Sequence, residues 1–346
     1  MDAVPETIND FQFERSPSLY MRISNEQIPI VYRKEYNVNF CGLERLHPFD
    51  ARKWANIYKI LCENGLLNET TVVKPNEAKT EHLLLVHKKK YLKSLKCSFK
   101  VAQIAEIAAL VLVPNSLVQK AFLRPMRFQT GGSILAGKLA LDRGWAINIG
   151  GGFHHCSSSK GGGFCVYADI TLLIEHLFFY FPKQVEKVMI VDLDAHQGNG
   201  YEMDFKDSKK VYIMDVYNKW IYPKDVQAKN FIQINVPIDS YTADEDYLRI
   251  VKENLLVASK EFTPDLLVYN AGTDILVGDC LGGLSVSEEG ILARDEFVFQ
   301  HCRLQKIPIV MLTSGGYQKK TAKIIAYSIL NLYKRGLINC PEDNCV

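Results

Sequence analysis

The segment KVMIVDLDAHQGNG, residues 187–200, runs from a stretch of apolar residues straight into Asp192, Asp194, His196 and Asn199. Charge is costly to hold at the end of a buried strand unless something compensates it. A divalent cation would, and two carboxylates and an imidazole are donors it accepts. Asp194 and His196 are two residues apart, so in an extended segment their side chains share a side. A third donor, Asp274, stands in NAGTDIL at 270–276. Two oxygens and a nitrogen suit zinc, whose catalytic sites keep a fourth position open for water or substrate. The competing reading has the acids capping helices or binding backbone, and for D-x-D-x-H by itself the two readings stand level.

A histidine pair shifts that balance. His154 and His155 are adjacent in GGGFHHCSSSKGGGFC, residues 150–165, behind a glycine run where backbone can approach a ligand closely. A lone histidine is usually a packed or surface residue; two in tandem at such a place suggest proton transfer. Water on a catalytic zinc is acidified to a pKa of about 7. One imidazole can take its remaining proton and the other can deliver one to a leaving amine. Both need partners that fix the tautomer, and Asp192 and Asn199 are the natural ones. Tyr317 follows Gly315 and Gly316 in TSGGYQKK, residues 313–320. A tyrosine after a strand is mostly packing, but here its hydroxyl could meet a carbonyl oxygen on which negative charge develops. Cys156 and Cys165 raise a thiol route, which a metal-activated water makes unnecessary. The glycine runs do not bind a nucleotide: G-x-G-x-x-G lacks its third glycine, and G-x-x-x-x-G-K-[ST] is absent.

These residues need elements to position them. GWAINIG (144–150), KVMIVDLD (187–194), KVYIMDVY (210–217), DLLVYNAG (265–272) and IPIVMLTSGG (307–316) are nearly continuous in apolar residues. That pattern marks parallel strands covered on both faces. Residues 244–262 and 319–337 carry apolar positions at helical spacing. Strands alternating with helices imply a three-layer αβα fold with a mainly parallel central sheet. We expect a single domain over 1–346, with its core at about residues 25–337. Ligands of such sheets bind beyond the carboxyl ends of the strands, and four of these strands end in the polar residues above.

Composition narrows the rest. The chain has 346 residues, 47% apolar and 23% charged, a normal globular balance. A formal charge of +2 gives no footprint for direct nucleic-acid binding. The basic run HKKKYLKSLK (87–96) reads as a solvated helix face. The N-terminal twenty residues lack an apolar signal region, and the longest apolar run, 104–113, is too short to span a bilayer. Nine scattered cysteines without C-x-x-C fit a reduced, intracellular chain. The expectation is nucleus and/or cytoplasm.

Taken together, GGGFHHCSSSKGGGFC, VDLDAHQGNG, NAGTDIL and TSGGYQKK resemble the signature blocks of the zinc-dependent histone deacetylases, in that family's order. HHCSS, DAHQGNG and GTDIL…LGGLS look like its class IV branch. The resemblance covers the chain from HPFDARKW (47–54) to the last helix. It implies an arginase/deacetylase-like fold and one Zn²⁺ on Asp194, His196 and Asp274. His154 and His155 would be the paired imidazoles, with Asp192 and Asn199 behind them, and Tyr317 would polarise the acyl carbonyl. Gly163 and Phe164 would line a tunnel for an acyl-lysine side chain, Leu281 its rim, and Gly316 belongs to the same substrate-binding set. The family also holds a structural K⁺ through Asp192 and around Asp194, His196, Asp215 and Val216. Where many members have aspartate, this chain has Asn199, which implies a less basic His155. The class IV likeness further implies removal of long-chain fatty acyl groups as well as acetyl from protein lysines, histones among them. Partners would be acyl-lysine peptides or proteins and co-regulators docking on the catalytic domain. Two rivals remain in view. A two-manganese ureohydrolase would need more bridging acids. An acyl-lysine reader without turnover would be marked by loss of a ligand, a histidine or the tyrosine, and none is missing; a regulator whose activity depends on a partner complex stays open.

Overall fold

The computed structural model describes residues 18–38 and 50–339. Seven strands form one sheet: β1 (Ile30–Val31), β2 (Trp145–Asn148), β3 (Val188–Asp192), β4 (Val211–Asn218), β5 (Ile234–Ile238), β6 (Leu266–Asn270) and β7 (Ile309–Leu312). Their order is β1-β2-β7-β6-β3-β4-β5, and every pairing is parallel. The five strands expected from apolar runs are all present, each trimmed to the part that hydrogen-bonds. Two were not foreseen. β1 has two residues, too few to show a pattern. β5 is an edge strand that alternates half-buried and exposed residues and carries Pro237, which an edge tolerates because the N–H that proline lacks would have no ladder to join there.

The longer helices are α1 (Lys53–Glu63), α2 (Arg124–Arg143), α3 (Asp169–Tyr180), α4 (Asp244–Glu261), α5 (Glu288–Gln305) and α6 (Thr321–Lys334). α2 packs along α3, whereas α4, α5, α6 and α1 contact one another in succession. The two groups cover the sheet as an αβα sandwich, so the central strands β3, β6 and β7 are buried throughout. α2 is buried on nearly every side, Gln129, Thr130, Ser133 and Lys138 included. Those polar residues hide its apolar stripe from a reading of periodicity. Gly137 lets it close on α3, since a Cβ there would lie 2.9 Å from Leu173 Cγ. In the basic run, Lys89–Ser94 forms a short helix that buries Tyr91 and leaves its lysines outside.

Register levels the strand ends. Asp192 lies beside Asp215 and Asn270, and Leu312 beside Asn270 and Asn148. The loops leaving β2, β3, β6 and β7 therefore start at one height, on either side of the point where chain order reverses, the usual binding place of such sheets. Among the described residues no helix is long and apolar enough to cross a membrane, and Cys62, Cys97, Cys156, Cys165, Cys280 and Cys302 are free thiols. The N-terminal stretch up to residue 17 and residues 47–49 of HPFDARKW lie outside the described residues.

Candidate metal and acid–base site

Asp194, His196 and Asp274 converge just past β3 and β6, all buried, with one donor atom of each within 4.8 Å of the others. His196 Nδ1 lies 3.1 Å from Asp194 Oδ1 and 2.9 Å from Asp274 Oδ2. The segment carrying Asp194 and His196 is bent, not extended. They meet because the chain turns there, with His196 N–H donating to Asp194 Oδ1 at 3.0 Å. Asp274 Oδ1 accepts from Ala195 N–H at 2.9 Å, and Asp194 Oδ2 from Gly315 N–H at 3.0 Å. Gly272 and Gly315 are required here: a Cβ would stand 2.3 Å and 2.6 Å from Asp194 Oδ2 respectively.

Electrostatics reflect the crowding. Burial opposes a charged His196, but its bonds to Asp194 and Asp274 outweigh that and hold its pKa at about 10. Burial, with the Asp194 charge beside it, pushes Asp274 up to about 7. Protonated, this imidazole would supply the positive charge that two buried carboxylates call for. A site that recruits its own histidine as counter-charge fits a divalent ion well.

The two histidines beside it are pushed in opposite directions. Their ring centroids are 4.1 Å apart. His154 Nδ1 faces Asp192 Oδ2 at 2.9 Å. Burial disfavours its charge, yet Asp192 and then Asp194 raise its pKa to about 9. His155 is pushed well below the usual imidazole value by burial and by the charges on His154 and His196, while Asn199 supports it weakly. Its Nδ1 lies 3.0 Å from Asn199 Oδ1. Paired titratable groups whose surroundings drive their pKa values apart are an acid–base arrangement. Asp192 itself is held by Asn270 Nδ2 at 3.0 Å and the Tyr201 hydroxyl at 3.0 Å.

The glycine loop that carries the pair is anchored by Asp169 at the start of α3. Its carboxylate accepts from Gly152 N–H at 2.9 Å, Phe153 N–H at 2.7 Å and Ser133 Oγ of α2 at 2.5 Å. A pocket of about 40 Å³ opens onto these residues, walled by Trp54, Phe153, Phe164, Cys165 and Tyr317 and floored by His154, His155 and Asp194. Gly163 also lines it, with φ +50° and no room for a Cβ, which would sit 2.5 Å from His155 Cδ2. The Tyr317 ring stands edge-on to His196 at 6.3 Å, and its N–H donates to Asp279 Oδ2 at 2.9 Å. Neither Gly316 nor Leu281 belongs to the pocket wall; Leu281 is exposed, its N–H donating to Asp279 Oδ1. Burial pushes the Cys156 and Cys165 thiols well up, away from the thiolate.

Asp215 and Val216 lie on β4 beside Asp192, fully buried. Asp215 Oδ2 accepts from Gly198 N–H at 2.9 Å; its Oδ1 finds no donor, and burial, with the Asp192 and Glu202 carboxylates beside it, raises this carboxyl well above the usual carboxylate range in the absence of a cation. An orphaned carboxylate oxygen at full burial fits a bound cation.

Several residues escaped the sequence reading. Asn270, at the end of β6, was accessible to it, as a polar residue closing an apolar run. Trp54 and Arg294 were not, because each reaches the site from a remote segment, and Asp169 and Asp279, although close in sequence to the motifs, act through backbone N–H groups that only the folded loops present. Arg294 of α5 is fully buried and donates to the carbonyls of Leu193 and Gly272, tying together the two loops that carry the acids. Lys53 of α1, also buried, donates to Ser314 O at 2.6 Å. Burial brings its pKa down to about 8 against the pull of Asp274 and Asp194.

Three donors that could hold a metal ion and a histidine pair with opposed pKa shifts meet at the switch point of an αβα sandwich, a combination suited to metal-assisted hydrolysis. The family model described as "Histone deacetylase domain" matches residues 47–332, and the chain belongs to that family. It is 52% identical over 325 residues to "Histone deacetylase 2" of Arabidopsis thaliana, covering 94% of this chain and 84% of that one. It is 27% identical to "Acetoin utilization protein AcuC" of Staphylococcus aureus, over 78% and 72% of the two chains. The crystal structure of the HDA15 HD domain superposes with a TM-score of 0.72 at 19% identity, covering 90% of this chain and 89% of that one, which supports the fold.

Proposed function

We propose that this chain is a zinc-dependent protein-lysine deacylase of class IV type, which removes acetyl and long-chain fatty acyl groups from lysine side chains, histones included. The observation that carries the reading is the buried Asp194–His196–Asp274 group beside two neighbouring histidines whose surroundings drive their pKa values apart, in a member of the histone deacetylase family. HHCSS, DAHQGNG and GTDIL…LGGLS support the class IV assignment. Among the described residues this is the one group of three or more such donors, which favours a single ion over a manganese pair.

Zinc held by Asp194, His196 and Asp274 would supply the Lewis acid that acidifies a water and polarises the acyl carbonyl. His155, neutral and bonded through Nδ1 to Asn199, accepts the water's proton at Nε2. The water oxygen bonds to the acyl carbon, the carbon–nitrogen bond breaks, and the proton passes to the departing lysine amine. His154, kept cationic by Asp192, stabilises the negative charge that builds beside it. The Tyr317 hydroxyl donates to the carbonyl oxygen as it becomes an oxyanion. Gly163 and Phe164 flank the acyl-lysine stem. K⁺ at Asp192, Asp215 and Val216 would brace the loop of Asp194 and His196. Acyl-lysine proteins are the substrates, co-regulator proteins are the partners, and the protein works in the nucleus, the cytoplasm or both.

The test is the purified chain with matched acetyl-lysine and myristoyl-lysine peptides, with and without a chelator, followed by mass. Chelator-sensitive release supports the reading, and the ratio of rates gives the acyl preference. Tyr317→Phe should lose roughly 10²–10³ in turnover while keeping its metal. No release from either peptide by the metal-loaded chain would replace this reading with an acyl-lysine reader.

A further inference from the structure

His155 is the first link of a chain of side chains that leaves the pocket. Its Nδ1 lies 3.0 Å from Asn199 Oδ1, and Asn199 Nδ2 donates to Asp225 Oδ2 at 3.3 Å. Asp225 is itself clamped. Its N–H donates to Gln197 Oε1 at 3.1 Å, its carbonyl accepts from Gln197 Nε2 at 3.0 Å, and its Oδ1 accepts from Ala228 N–H at 3.1 Å. From the same loop Tyr222 packs edge-on against the His155 ring, with centroids 4.9 Å apart.

The chemistry of the middle link makes the outer one matter. An amide has a donor end and an acceptor end of nearly equal shape. With Oδ1 toward His155, Nδ1 must carry the imidazole proton, and Nε2 keeps the lone pair that a base needs. With the amide turned over, Nδ2 would face Nδ1, the proton would sit on Nε2, and the base would be blocked. Nothing in the Asn199–His155 pair selects between these. A carboxylate behind the amide does, because it only accepts. An aspartate at position 199 would need no such selector, having no donor end to turn inward.

We propose that Asp225 is a positioning residue that fixes the orientation of the Asn199 amide and, through it, the tautomer of His155. The proposal rests on the reading of His155 as the base, and it assigns a specific cost to having asparagine at 199: a second acid, from a remote loop, must hold it.

Asp225→Ala in the metal-loaded full chain should lower kcat at least about ten-fold and leave KM within about two-fold, since a wrong tautomer alone can cost a histidine base up to roughly 10⁴. Removing Asp225 also removes the bond to Ala228 N–H, so loss of rate is not sufficient proof. Asn199→Asp separates the two causes. Beside an intact Asp225 it sets two carboxylates against each other and should lower kcat. Combined with Asp225→Ala it locks the tautomer by itself and should bring kcat back toward the wild-type value. A double variant as slow as Asp225→Ala would mean a loop defect and overturn the proposal. Long-range proton–nitrogen NMR of His155, assigned with His155→Gln, reads the tautomer without turnover. The wild type should carry its proton on Nδ1, and Asp225→Ala should gain the Nε2–H form; an unchanged tautomer overturns the proposal. A wild-type chain that shows no hydrolysis would instead refute the deacylase reading, leaving the NMR result to judge Asp225.

Discussion

His87 offers a sharp test of how burial sets the pH response of this fold. Its ring is buried, with Nδ1 3.2 Å from Ser158 O and Nε2 accepting from Ala168 N–H at 3.1 Å. One nitrogen must donate and the other accept, so the site holds only the neutral tautomer. Burial brings the pKa down from 6.5 to about 4, the bond to Ser158 opposing weakly. The unfolded chain takes up a proton near pH 6.5, and the folded chain resists until about pH 4. Stability is therefore complete above the unfolded pKa and falls as the pH drops toward the folded one. Summing proton uptake in the two states, the loss between about pH 7.5 and about pH 5 comes to about 2 kcal/mol from this residue. His176, also brought to about 4 by burial, adds a comparable loss in the same window. The assay is urea unfolding at both pH values for the wild type and His87→Gln, with chelator throughout so that metal release does not enter. The variant starts less stable but should lose about 2 kcal/mol less on acidification. Equal losses in the two proteins would refute the claim that a buried neutral imidazole lies behind the slope.

Gly315→Ala places a methyl 2.6 Å from both Asp194 Oδ2 and Asp274 Oδ2; metal content by mass spectrometry should collapse while far-ultraviolet circular dichroism stays near wild type. Arg294→Met leaves Asp295 buried with the Tyr269 and Ser328 hydroxyls and frees the carbonyls of Leu193 and Gly272. It should cost about 3–5 kcal/mol of stability in chemical unfolding. Asn199→Asp should move the acid limb of the pH–rate profile upward, because a carboxylate favours protonated His155 more than an amide does; an identical profile would show that residue 199 does not tune His155.

The parts of the site that could be read from sequence were those whose residue types are unusual for their place. Asp192, Asp194, His196 and Asp274 close apolar runs, His154 and His155 are paired behind glycines, and the runs themselves mark five of the seven strands. Such signals are local: a charge at the end of a buried strand is expensive wherever the rest of the chain goes. The same locality limited the reading of α2, whose burial on all sides comes from its neighbours, and of β1, whose two residues are held by β2.

Tertiary structure decided what surrounds those residues. Sequence could name Asn199 as the partner of His155, but not that Asp225, 26 residues further on, stands behind it. It offered no hint that Arg294 would bind two loops by their carbonyls, or that Trp54 would wall the pocket. Nor could it give the opposite pKa shifts of His154 and His155, adjacent in sequence. That difference comes from the carboxylate of Asp192, which reaches only one of them, and from the shared burial that penalises charge on both. Residue type determines which chemistry is available, whereas distance and burial determine which group carries the proton, and those exist only once the sheet has brought its strand ends level.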